Sequence, residues 1–210
     1  MNDSSDSTET STGLFNSRVA FYSLLGLMSL HVLFFSAAGV QRYENLETGG
    51  DFAFFVQVLW NHQHGIFYYT TLEDGGRSAL GTHVDLITLP LALILWPFPL
   101  AYGMIFLQTV SCCGTAAILY LLAQKRGLSP ILCFWAGMAW LLAPHVQGAL
   151  IFDFHSITIA PFFFFLGILL LESNRLVWSS VSFLLAAFCR EEVALLLAFY
   201  GLIECVRGQH

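Results

Sequence analysis

The chain has 210 residues, of which 57% are hydrophobic and 10% charged, with a mean hydropathy of +0.70. Soluble domains carry about 25% charged residues, so this composition excludes an ordinary soluble fold and points to a membrane protein. The net charge of −6 says little about partners, because the acids lie mostly in the N-terminal tail and one long loop, and no basic patch points to nucleic acid.

Residues 1–14 are Ser/Thr/Asp-rich without apolar periodicity and read as a disordered tail. The transmembrane module is expected over residues 15–210. Its first apolar run, Val19–Gln41, is longer than the core of a cleaved secretory signal and has Arg18 as its only basic flank, so it reads as a signal anchor. Residues 42–82 form a polar loop with a helix inside it. Asp51 follows Gly49-Gly50 where an N-cap belongs. Phe52, Phe55, Val56, Leu59 and Trp60 follow at helical spacing and make an apolar stripe suited to the membrane surface. His62 and His64 sit two apart, which on a helix points them in different directions.

Val84–Trp96 has 13 residues before Pro97-Phe98-Pro99. As a helix it is about 20 Å long, short for a span and suited to a re-entrant or interfacial segment. Leu100–Gln124 is a full span, and Pro130 opens the next helix. Ile131–Val146 and Ile157–Leu171 flank Asp153-Phe154-His155, and Leu176–Cys189 and Val193–Val206 flank Arg190-Glu191-Glu192. In lipid the backbone must satisfy its own polar groups, so these runs are expected to be helices. The five cysteines fall within apolar runs and form no Cys-x-x-Cys pair, so they read as small buried hydrophobes.

Basic residues orient the bundle. If Val84–Trp96 does not cross, Arg18, Lys125, Arg126, Arg175 and Arg207 are cytoplasmic, and Arg42, Arg77 and Arg190 are outside, five against three. If it crosses, the count is two against six. The first arrangement is expected: an all-α polytopic bundle of about six spans with both chain ends cytoplasmic. Asp51, His83, Asp85, Asp153, His155, Arg190, Glu191 and Glu192 then all reach the outer face. A charge at membrane depth costs roughly 2.5–3.5 kcal/mol on insertion scales, so such residues are site candidates by default.

Four local patterns resemble an uncharacterised family of multi-spanning membrane proteins in the C-type (GT-C) glycosyltransferase superfamily. They are Asp51-x5-Gln57-x2-Trp60-Asn61 with Gly65 following, His83 opening the Leu/Pro-rich run Leu86–Pro90, Asp153-Phe154-His155, and the basic-acidic-acidic triplet Arg190-Glu191-Glu192. The chain departs from the family pattern at Ala53, where a Gly is usual, and at Arg190, where Lys is usual. The family's modules are longer, so this chain is expected to be the N-terminal part of one.

The resemblance implies a GT-C-like bundle in the cell membrane (plasma or inner) that moves a sugar from a polyprenyl-phosphate-linked donor to an acceptor at the outer face. Its partners would be the membrane lipid and that donor. Asp51 would be the catalytic base. Arg190 would hold the lipid phosphate bidentately, with His83, Asp153, His155, Glu191 and Glu192 completing the substrate site. If a divalent ion such as Mg or Mn is used, Asp51, Asp153 and His155 are its expected ligands.

Each residue also has a plainer reading. Asp51 caps its helix, Asp153 and His155 cap Ile157–Leu171 and bond each other, and Arg190 forms an ion pair with Glu191 or Glu192. Asp85 reads as a helix-dipole charge. The rival functional class is a secondary transporter or lipid-handling permease, whose acids would be spread through the membrane depth.

Overall fold

The computed structural model describes residues 16–72 and 77–208. The tail expected over residues 1–14 lies outside them. The described residues form nine α-helices: α1 (Ser17–Glu44), α2 (Gly50–Gln63), α3 (Thr88–Ile94), α4 (Leu100–Lys125), α5 (Pro130–Leu142), α6 (Pro144–Ile151), α7 (Ala160–Glu172), α8 (Leu176–Cys189) and α9 (Glu191–Arg207). The loop after α2 carries a two-residue antiparallel ribbon in which Tyr69 pairs with Ser78 and Thr70 with Arg77.

Two helices, α1 and α4, are long and apolar enough to cross a membrane. The pair α5–α6 is a third candidate span, bent by 47°. The expected continuous helix over Ile131–Val146 is therefore broken. Pro144 supplies no N–H and pushes Ala143 out of the helical region, to φ −62° and ψ 124°. Ser156–Glu172 and α8 are apolar but shorter. The expected six spans thus resolve into two or three of full length plus shorter helices. Helix α3 has seven residues, about 10 Å, which is too short to span.

Central and peripheral helices differ sharply in burial. The apolar window of α4 is 56% buried and that of α1 only 17%. Helix α4 packs against α1, α5 and α7. Leu30, Leu33 and Phe34 on α1 and Leu195, Phe199 and Leu202 on α9 stay exposed, as lipid-facing side chains do. Helices α7 and α8 approach closely through a small residue: a Cβ on Gly167 would lie 2.5 Å from the Phe183 ring. The Ser179 hydroxyl donates to the Gly167 carbonyl at 2.8 Å, a cross-helix bond typical of apolar bundles.

At two further helix breaks, between α6 and α7 around Asp153-Phe154-His155 and between α8 and α9 at Arg190, neighbouring elements take up the freed backbone groups. The buried Gln108 of α4 donates to the Ala149 carbonyl at 2.8 Å. Its oxygen accepts from His155 N at 3.3 Å and from the Thr158 hydroxyl at 3.0 Å. At the second break Arg190 is extended, and the Phe188 carbonyl accepts from Ile87 N at 2.9 Å. That bond ties the end of α8 to the segment leading into α3. A buried cluster of Phe52, Phe55, Leu59, Ile87, Phe154 and Ala186 then seats α2 against both breaks.

Candidate functional site

Helix α2 is the element that presents Asp51, and its start differs from the expectation. The N-cap is Gly49, which has no side chain to cap with, and Asp51 stands in the first turn. The cap comes from elsewhere in the chain: Asp153 Oδ2 accepts from Gly49 N at 2.8 Å and from Phe52 N at 3.4 Å. Gly49 is required there, because a Cβ would lie 2.9 Å from that oxygen. Asp153 is 4% exposed, and its other oxygen lies 3.7 Å from Arg42 Nη2. Arg42 also donates to the carbonyls of Ile151 and Glu47. The Asp153 carboxylate therefore lies beneath α2, neutralised and hydrogen-bonded, and not beside the carboxylate of Asp51.

Relieved of capping, Asp51 is 62% exposed, and its Oδ2 is 3.3 Å from His155 Nε2. His155 Nδ1 lies 3.0 Å from the Asp153 carbonyl, which orients the ring. Phe152 stacks on the imidazole at 5.7 Å and Phe55 meets it edge-on at 5.9 Å. Asp153 and His155 were expected to bond each other, and they do so through backbone oxygen and ring nitrogen.

The second break builds a linked set of charges. Glu191 Oε1 accepts from His83 Nδ1 at 3.0 Å, and Oε2 accepts from Val84 N at 3.0 Å. These two bonds, that of His83 first, hold the Glu191 carboxyl down at about 2. Because His83 Nδ1 donates, its Nε2 is free to accept from Arg190 Nη2. Arg190 Nε lies 3.4 Å from Glu192 Oε2. Asp85 is buried, and burial raises its carboxyl, opposed by the Ser156 hydroxyl, Arg190 and His83.

Asp51, His83, Asp85, His155 and Arg190 all line one cavity of about 540 Å³, with Phe54 and Phe55 as apolar wall. Five polar side chains from four separate segments thus converge on one space. A neighbouring groove of about 340 Å³ is almost wholly apolar, walled by Trp140, Ile157, Pro161, Phe164 and Leu196, with Glu192 on its lining. A further cavity of about 480 Å³ lies where α4, α7 and α9 end. It holds the ion pairs Arg126–Glu172 at 2.7 Å and Arg207–Glu204 at 3.4 Å, and none of the motif residues.

Residues 42–210 match the family model described as a predicted membrane protein (DUF2079). The chain belongs to that family. No curated protein and no solved structure matches it. The matched region holds every residue of the cavity, and its motifs divide by task. In the first motif, Gln57 accepts from the Thr70 hydroxyl at 2.8 Å and from Thr71 N at 2.9 Å, and Asn61 donates to the Tyr69 carbonyl at 2.8 Å. Those two amides hold the loop ribbon onto α2. Trp60 is exposed and stacks on His64 at 3.8 Å. His62 points the other way and bonds Thr88 at 3.1 Å. Asp51 is the motif member that faces the cavity.

Among the described residues, the three expected to ligate a divalent ion are not gathered around one point. Asp51, Asp153 and His155 do not bring three donor atoms together, since the Asp153 carboxylate serves the start of α2. Among the described residues the donor atoms that gather, within 4.8 Å, belong to His83, Glu191 and Glu192. Arg190 contacts two of these three, and Glu191 already accepts two hydrogen bonds. A fixed cation already occupies the place where a metal would be attracted.

Sequence reasoning missed Gln108 and Ser156, and it read Asp85 as a dipole charge. A lone amide inside the span Leu100–Gln124 was the available signal for Gln108. Ser156 gave none, since single serines are common in apolar helices.

Proposed function

We propose that this DUF2079 chain carries a GT-C-type glycosyltransferase site, which moves a sugar from a polyprenyl-phosphate donor to an acceptor hydroxyl at the outer face of the membrane. The observation that carries the reading is the single cavity in which an exposed carboxylate, Asp51, and a fixed cation, Arg190, share the walls beside an apolar groove. Asp51 accepts the proton of the acceptor hydroxyl. The acceptor oxygen bonds the anomeric carbon as the bond from that carbon to the lipid phosphate breaks. The phosphate leaves with the electron pair and is held by Arg190. His155 positions the Asp51 carboxylate, Asp153 fixes the helix that carries it, and the groove beside Glu192 receives the lipid tail.

A transporter reading expects acids spread through the bundle depth, whereas Asp51, Asp85 and Glu191 gather at one end. Two experiments test the proposal. The first assays transfer from polyprenyl-phosphate-linked sugars by purified protein in lipid nanodiscs. Wild type should transfer and Asp51→Ala should not, and retained activity in that variant would remove Asp51 as base. The second fixes orientation by labelling with an impermeant thiol reagent in intact cells, on a background free of the five native cysteines. Glu47→Cys should label from outside and Leu128→Cys only after lysis; the reverse would place the cavity on the cytoplasmic side.

A further inference from the structure

Asp85 lines the cavity but is only 7% exposed, and among the described residues it joins no ion pair. Its Oδ1 lies 2.7 Å from the Ser156 hydroxyl oxygen. The same hydroxyl lies 2.8 Å from the Cys189 carbonyl. A serine hydroxyl has one proton, and both neighbours ask for it if Asp85 is ionised. Cys189 is the last residue of α8 and fully buried, and among the described residues no backbone N–H from outside that helix reaches its carbonyl. Ser156 is thus the donor that this helix end needs. Both short contacts are satisfied together when Asp85 carries a proton: its O–H donates to Ser156 Oγ, and Ser156 O–H donates to Cys189 O.

The surroundings agree. Burial, the largest influence on Asp85, raises its carboxyl, as does the charge of Glu191. The hydrogen bond with Ser156, Arg190 and His83 act in the opposite sense. Arg190 also contacts His83 and lies 3.4 Å from Glu192, and His83 contacts Glu191. The Cys189 thiol donates away from Asp85, to the Leu185 carbonyl. Asp51 and His155, the other ionisable groups of the cavity, are paired with each other.

We infer that Asp85 is held as a neutral carboxylic acid whose remaining oxygen, Oδ2, is an uncharged acceptor for a substrate hydroxyl. The cavity then combines two carboxyls with different tasks, one at Asp51 to take a proton and a neutral one at Asp85 to recognise a polyol. A neutral Asp85 adds no negative charge to the cavity, where an ionised Asp85 would repel a phosphate held by Arg190. The substrate class follows: a hydroxyl-rich group bearing an anion. The polyol role rests on the transferase reading above, whereas the protonation state does not.

Asparagine reproduces the donor and acceptor pattern of a protonated aspartic acid, which gives a test needing no substrate. Purified protein with ¹³C-carboxyl-labelled aspartate is compared with Asp85→Asn by infrared difference spectroscopy at neutral pH. The expected result is a carboxylic-acid C=O band, shifted in D₂O, that Asp85→Asn removes. Loss of a carboxylate band instead overturns the inference. Thermal melting supplies a second readout: Asp85→Asn should melt with wild type, and Asp85→Ala and Ser156→Ala should melt lower. An Asn variant that melts as low as Ala, or fails to fold, overturns it as well. Failure of either readout leaves the transferase assay untouched. An inactive wild type in that assay leaves the protonation result standing.

Discussion

The two breaks in the apolar helices look alike in sequence and are used in opposite ways. At Asp153-Phe154-His155 the acid is withdrawn from the cavity and spent on architecture, capping α2 and pairing with Arg42. Only its histidine faces the cavity. At Arg190-Glu191-Glu192 all three charged side chains stay together with His83, each linked to the next. The difference teaches that a charge inside an apolar run marks a site without saying whether it touches substrate or holds the residue that does.

The comparison can be broken most decisively at Asp51, the residue the first break serves. Because Asp51 does not cap α2, Asp51→Ala should abolish transfer, by about 10²–10⁴-fold for a lost general base, while the melting temperature stays near wild type. A large loss of stability would mean that Asp51 is architectural after all. Asp153→Ala should do the reverse. It leaves Arg42 without its carboxylate and the Gly49 and Phe52 N–H groups without an acceptor, for a destabilisation of about 3 kcal/mol measured by denaturant or thermal unfolding in detergent. Asp153→Asn, which keeps an acceptor oxygen, should recover part of it.

A control away from both breaks is Gly167→Leu. It drives a side chain into Phe183 and should cost about 1–3 kcal/mol of stability by overpacking. The smallest effect is expected at the second break. The Glu191 carboxyl is held at about 2, below its ordinary 4.5. A depressed acid contributes stability above its unfolded value and loses it as pH falls through the folded one. Wild type and Glu191→Gln should therefore differ in melting temperature at pH 6 and converge between pH 4.5 and 2. Because Glu191 is solvent-exposed, the gap should be small, and a constant gap down to pH 2 would mean that the His83–Glu191 bond does not form.

Much of this arrangement was legible because it is local. The long spans α1 and α4, the amphipathic α2 and both breaks follow from apolar runs, helical spacing and proline. The convergence of Asp51, His83, His155 and Arg190 was expected from an arrangement in which Val84–Trp96 does not cross, and α3 is too short to span. What stayed hidden depends on contacts between distant segments. Gly49 rather than Asp51 begins α2 because a carboxylate 104 residues away in sequence supplies the cap. Asp85 reads as a helix-terminal charge until Ser156 and Cys189, 71 and 33 residues from their partners, are placed around it. The kink at Pro144 was readable in principle, since proline inside an apolar run signals a break, but hydropathy alone runs across it.

That distant cap also sets an order of assembly. Gly49 and Asp153 are separated by 104 residues, so α2 leaves the ribosome long before the residue that fastens it. The nascent chain must thread α4 and the bent pair α5–α6 before Asp153 arrives, and until then Asp51 sits on a helix with no anchor at its start. The cavity wall that carries Asp51 is therefore among the later features of the described bundle to set during biogenesis. A chain stalled before the second break carries the anchor and the loop but no completed site.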